Sequence, residues 1–439
     1  MSIRLAVIED IIAHLTSVDQ ALPGLPEADQ ARLGVTADWA TGPHQLTYRQ
    51  AGHTSRLMAG ALGKNEPDGA PSEALQAACD QLLEASIPPA WKNATSALAA
   101  DWTDIETWSR PPRHGTTACA DPQAAWGHRN SNLPGPKGEM FFGYYLPAAV
   151  MVAEQSGPPV PELARRITLA GCDHDPVRQL VTVPLRMAGD GIPLGDVLAD
   201  SGYALVQDLH PHDRGPKGTH HGAIISNGNL YCPTTPRTLL ELGPLARDAT
   251  REQAAAHDSK TAGLARYKLG RLTRDDEDGY HRVACPAAMG KIRCPLRSAS
   301  MTLDRDRPEI LTPPEHPPAC CTRQTLTVPP EVTAKTAQKH DYPSRAHRRS
   351  YARRTGAERG FATAKDPASN NISRGWCRLM GPAPLMLFTT TVLIVRNQRI
   401  LHAWNARQQD NARRAAAGLP PKTRRRRRKT LAMLAAAPP

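Results

Sequence analysis

Phenylalanine appears four times in 439 residues, and aromatic residues together make up 5% of the chain. So sparse a supply argues against a nucleic-acid surface built mainly from stacking platforms. No G-x-x-x-x-G-K-[ST] run is present, so an ATP-driven mechanism is not indicated. The nine cysteines include no C-x2-C pair, the usual half of a zinc knuckle. Nor is any apolar run long enough for a bilayer. The longest, APLMLFTTTVLIV at 383–395, is short and threonine-rich, and is expected to be a buried helix or strand. The opening MSIRLAVIEDIIAHL has acidic residues at amphipathic spacing rather than an uninterrupted apolar core, so no secretory signal is expected. The expectation is a cytoplasmic, nucleoid-associated protein with no membrane partner and mostly reduced thiols.

What is abundant is positive charge and proline. Net charge is +12 and the pI is near 9.4. Basic residues crowd into RAHRRSYARR at 345–354 and KTRRRRRK at 422–429, which contains Arg424, Arg425, Arg426, Arg427 and Arg428. Clusters of this kind point to a polyanion, most often nucleic acid. The 41 prolines exceed an average share of about 5%, so many connections are loops.

Residues 1–95 are expected to form a separate helical region, either DNA-binding or a plain bundle. LTYRQAGHTSRLMAGALG at 46–63 is one helix, with Arg49 and Arg56 available. PSEALQAACDQLLEAS at 71–86 is a second, with Leu75, Leu82 and Leu83 on one face. From 96 the pattern changes to strands: SALAADWTDIE, then 139–154, then 162–171. A helix over 175–191 and a short strand in GDVLADSGYA at 195–204 follow. Residues 227–330 are rich in Pro, Cys and charge, and are expected to be an insertion with little regular structure. After it, 331–416 carries a helix through YARRTGAERGFATAK and a long helix over 383–416, and 417–439 is expected to be a disordered basic tail.

The stretch YARRTGAERGFATAK holds Tyr351, Arg354, Glu358 and Lys365. On a helix, steps of this size bring all four side chains within about 60° of one another, in a stripe about four turns long. A solvated face of mixed charge has the same appearance. Upstream, Asp101 in LAADWTDIE and Asp200 in VLADSGYA are expected at the ends of buried strands. A carboxylate there needs a partner or a metal, although an aspartate capping a turn is the common alternative. Three separated acids supply the oxygen ligands that Mg²⁺ or Mn²⁺ takes, and a pair of such ions assists phosphoryl transfer. Asp104 rivals Asp101 but, three residues on, faces the other way.

The spacing Y-x2-R-x3-E-x6-K, with DWTDIE and VLADSGY upstream in that order, resembles insertion-sequence transposases with a DDE catalytic triad. The whole of 96–415 is similar to actinobacterial transposases of this type. The resemblance implies an α/β fold: a ribonuclease-H-like mixed sheet flanked by helices, in two parts at 96–226 and 331–416. It implies that Asp101, Asp200 and Glu358 hold the metals. Arg354 and Lys365 would grip DNA phosphates, with Tyr351 near the strand end. The partner would be double-stranded DNA, transposon end and target, and the protein a homodimer. One feature departs from the pattern: ADSGYA runs directly into LVQDLHPHD, too short a link for two parallel neighbours. An inactive DNA-binding remnant is therefore the competing expectation.

Cys232, Cys285, Cys294 and Cys320, with Cys321, lie in the insertion, three of them followed by proline. They are expected either to hold a structural Zn²⁺ or to be buried thiols. His210, His212, Asp213, His220 and His221 form a second cluster, expected as a polar surface loop.

Overall fold

Strand β1, Leu98–Glu106, is interior to a six-stranded mixed sheet. Beside it, β3 (Met140–Met151) runs antiparallel in register from Leu98 opposite Met151 to Glu106 opposite Gly143. On its far side β3 takes three short strands end to end: β2 (Ala125–His128), β5 (Ala170–Gly171) and β4 (Ala164–Ile167). Helix α3, Pro176–Gly189, then crosses the sheet, and β6 (Val197–Leu198) joins β1 in parallel. A parallel neighbour requires such a crossover. The fold is mixed α/β. The computed structural model describes Glu27 and residues 48–113, 116–129, 139–199, 218–246, 248–336, 338–366, 372–374 and 377–422.

Helix α3 starts where the sequence signals a start. Asp175 accepts a hydrogen bond from the Val177 amide and Pro176 fills the first turn. Pro184 lies inside α3 without ending it. The two faces of the sheet are covered by different elements. Leu98 packs with Val183 and Met187 of α3. Ala99 and Ile105 pack on the opposite face with Ala357, Phe361 and Ala364, and with Leu385 and Val392. The latter two belong to the last described helix, Pro382–Ala416. The threonine-rich run is the buried half of that helix. Thr389 and Thr390 satisfy their hydroxyls on the carbonyls of Leu385 and Met386, so they can be buried. Among the described residues, no helix is long and apolar enough to cross a membrane.

Among the described residues, two long helices, α1 (Tyr48–Leu62) and α2 (Glu73–Ala85), and a single helical turn at Pro89–Lys92 precede the sheet. Leu75, Cys79 and Leu83 of α2 belong to the same core as the sheet, so the boundary at 95 does not divide two cores. The buried arc of α2 centres on Cys79, and Leu82, expected on the inner face, is 45% exposed at its edge. Six charged groups tie α2 and β4 to each other and to α3. Arg165 meets Glu84 at 3.0 Å; Arg166 meets Glu84 and, beyond α3, Asp190, each at 2.8 Å. Arg186 of α3 adds a 3.0 Å contact to Asp80.

The expected insertion at 227–330 is more regular than its composition suggests, and its first sheet begins earlier, at Thr219. One three-stranded sheet comprises β7 (Thr219–His220), β8 (Ala223–Ser226) and β9 (Asn229–Tyr231). Helix α4, Arg251–Arg266, opens on a reciprocal cap between Thr250 and Gln253. A second sheet comprises β10 (Gly270–Arg271), β11 (His281–Ala284) and β12 (Leu326–Val328). The region has its own apolar clusters, one around Tyr231, Leu264, Tyr267 and Ile292, the other around Leu230, Val283 and Val328. Its prolines fall largely in the connections, which is why composition concealed the strands.

The striped segment is also interrupted. Helix α5, Arg345–Tyr351, passes through a 3₁₀ turn, Ala352–Arg354, into α6, Thr355–Ala364, with Lys365 as the C-cap. A 3₁₀ turn advances faster per residue than an α-helix, so Tyr351 is rotated relative to the ideal stripe. The long helix Pro382–Ala416 is α7. Arg424 to Arg428 lie outside the described residues, as does Asp200.

Candidate active site

Alternation along β1 puts Asp101 on the same face as Ala99 and Ile105, beneath α6. Asp101 is not at a strand tip, because β1 continues to Glu106. What ends near Asp101 is full burial: Leu98 to Ala100 are buried and Asp101 to Asp104 half-buried. Helix α6 approaches closely because two glycines face inward. A Cβ on Gly356 would come within 2.7 Å of Val152 Cγ1, and one on Gly360 within 3.5 Å of Val150. Glycine weakens a helix interior, but here it sets the distance between helix and sheet.

At that distance Arg354 spans two acids. Its Nη1 donates to Asp101 Oδ2 at 2.7 Å and its Nη2 to Glu358 Oε1 at 2.5 Å. The guanidinium lies 5.2 Å from the Tyr351 ring centroid, and His347 stacks on that ring at 5.7 Å and 15°. Tyr351, Arg354, Glu358 and Asp101 therefore meet in one place. Two carboxylates already converging on a single cation form a hard-oxygen donor pair of the kind a divalent ion takes.

Lys365 makes a separate contact. Its Nζ lies 2.7 Å from Asp104 Oδ1, and Arg129 Nε lies 2.9 Å from Asp104 Oδ2. Burial acts to raise the Asp104 pKa, but the hydrogen bonds from Lys365 and Arg129 outweigh it, so the carboxyl sits below its usual value. Arg129 also binds Glu106. These groups border a cavity of about 820 Å³, lined by Asp104, Glu106, Trp108, Arg129, Lys365 and Arg374. Asp196, just before β6, accepts from Lys339 and from Arg353, each at 2.7 Å. Those two contacts, Lys339 first, hold its carboxyl below the ordinary range. The basic cluster at 345–354 is thus divided: Arg353 turns toward Asp196 and Arg354 toward Asp101, while Arg349 faces solvent.

Sequence reasoning did not single out Arg129, Asp196, Lys339 or Arg353. Part of the signal was present, since Asp104 and Glu106 share one side of a strand and need a common cation.

The five cysteines of the insertion are buried thiols. Cys232, Cys285 and Cys294 lie in one apolar cluster and Cys320 and Cys321 in the adjoining one, with the last two sulfurs 4.0 Å apart. Burial pushes the Cys232 thiol up to about 11. Among the described residues, no group of three or more His, Cys, Asp or Glu side chains converges on a metal position. The expected zinc set is therefore not assembled from Cys232, Cys285, Cys294 and Cys320. His220 Nε2 lies 2.9 Å from the Thr327 carbonyl oxygen and its ring packs on His221. His210, His212 and Asp213 lie outside the described residues.

No protein-family model matches this chain, and neither a curated protein nor a solved structure is significantly similar to it.

Proposed function

We propose that this chain is a DDE transposase with a ribonuclease-H-like core, which cleaves and joins DNA using divalent metal. The observation that carries the reading is the shared guanidinium. Asp101 from β1 and Glu358 from α6, 257 positions apart in the numbering, both bind Arg354. Three of the four residues of the Y-x2-R-x3-E-x6-K pattern take part in that constellation. The strand pairing supports the same reading: β3 lies antiparallel to β1, a crossover helix follows, and β6 then runs parallel to β1.

Asp101 and Glu358, together with Asp200, are the residues that would hold Mg²⁺ or Mn²⁺. Such ions, when bound, polarise the phosphoryl group and activate the attacking oxygen. Arg354 and Lys365 then serve phosphate groups beside the cut, and Tyr351 supports Arg354 from below. The exposed arginines of α5 and the run Arg424 to Arg428 supply the wider, sequence-independent attraction to duplex DNA. In the first step water bonds to phosphorus and a 3′-hydroxyl leaves. In the second, that hydroxyl bonds to a target phosphorus and a new 3′-hydroxyl is released.

The test uses purified protein, a duplex bearing the element's own end, and Mg²⁺. Nicking followed by strand joining is the expected result. Asp101→Asn and Glu358→Gln should each lower both steps by about 10³-fold, the equivalent of several kcal/mol of metal assistance, while still binding the duplex. Binding by the wild type with no nicking would leave only an inactive DNA-binding remnant. Nicking without joining would leave a nuclease.

A further inference from the structure

Arg354 occupies the position between Asp101 and Glu358 where a metal ligand pair would need its cation. We propose that Arg354 is an exchangeable counter-ion: it holds both carboxylates in the free protein and transfers to a DNA phosphate on binding, so that DNA and divalent metal bind cooperatively. The proposal rests on the reading of Asp101 and Glu358 as metal ligands.

The geometry suits exchange. Each terminal nitrogen of the guanidinium serves a different carboxylate, at 2.7 Å and 2.5 Å. Asp101 is 18% exposed at its side chain and Arg354 14%, but Glu358 is 50% exposed. One leg of the bridge therefore opens to solvent, where a phosphate can compete. A planar guanidinium binds carboxylate and phosphate by the same fork, so the change of partner preserves its hydrogen-bond geometry. Tyr351, 36% exposed, lays its ring against the guanidinium and remains a support after the transfer. The neighbouring Arg353 differs. It is fixed by Asp196, by the Ser350 side chain and backbone, and by the Ala153 carbonyl, and is 12% exposed. A positive group beside two carboxylates repels an entering dication, so removing it raises metal affinity.

Mn²⁺ binding to the full chain, followed by electron paramagnetic resonance of the free ion, tests this directly. In the wild type, a duplex bearing the element's end should tighten Mn²⁺ binding at least about tenfold, and Mn²⁺ should tighten duplex binding by the same factor. Arg354→Gln should bind Mn²⁺ without DNA as tightly as the wild type does with it, and gain little from the duplex. If Asp101→Asn and Glu358→Gln abolish tight Mn²⁺ binding yet wild type and Arg354→Gln bind it equally, exchange is overturned and the metal site stands. If those two acid variants bind Mn²⁺ like the wild type, the metal site itself is refuted, and exchange with it. Should Arg354→Gln not fold, the wild type alone decides: Mn²⁺ affinity indifferent to DNA overturns the proposal.

Discussion

Asp104 shows how much one neighbour changes the meaning of a residue. In the sequence it is the rival of Asp101; in the structure it is the counter-ion of Lys365 and Arg129. Its folded pKa lies below the ordinary 3.8. A depressed carboxylate stabilises the fold at pH above its unfolded value, and that contribution disappears as pH falls through the folded value. Asp104→Asn should therefore lower stability by about 1.5–3 kcal/mol at neutral pH, the worth of charge-assisted hydrogen bonds. Thermal unfolding compared between wild type and variant should show a gap that is steady above pH 3.8 and closes below it. A gap unchanged in acid would contradict the assignment. The i, i+4 pair of Arg354 and Glu358 was legible from spacing alone. That Asp101 shares it was not, since nothing in a local window reports a contact across 253 positions.

Between elements, the approach of α6 to the sheet is set by Gly356. Gly356→Ala would force a Cβ to within 2.7 Å of Val152 Cγ1, and overpacking of that kind costs about 1–3 kcal/mol. Chemical denaturation should show the loss even though alanine is the better helix former. A stabilised variant would mean that α6 does not press on β3. The α2–β4 contact invites a second measurement. Arg165 is 2% exposed at its side chain and Glu84 20%, so Glu84→Gln leaves buried guanidinium charge poorly compensated. Breaking a buried pair in this way costs about 3–5 kcal/mol, readable in the same denaturation experiment. Long elements were legible from pattern: α3 from its Asp–Pro start, and α7 from its sustained helical run. Strand β2, four residues long, and α4 were not foreseen. For α4 the cue existed, as Thr250 and Gln253 stand at capping-box spacing, but the surrounding prolines and charges masked it.

For the molecule as a whole, the proposed function makes duplex binding an ion-exchange process, driven by the excess of positive charge. The logarithm of affinity should fall linearly with the logarithm of salt concentration. Removing 423–439 deletes six cations, Arg424 to Arg428 and Lys429, and should reduce that slope by up to about 5.4, at about 0.9 per phosphate released. A filter-binding series over salt checks it, and an unchanged slope would assign the attraction to the α5 face instead. The sequence by itself determined the excess and clustering of positive charge, the periodicity of strands and helices, and the cation–carboxylate spacing within one helix, because all of these depend on composition or on neighbours a few residues apart. Only the tertiary structure decided which acids share a cation, that α2 belongs to the sheet's core, and that Cys232, Cys285 and Cys294 lie in one apolar cluster and Cys320 and Cys321 in another. Those outcomes depend on how closely elements pack, and packing distance is set by contacts between residues remote in the chain.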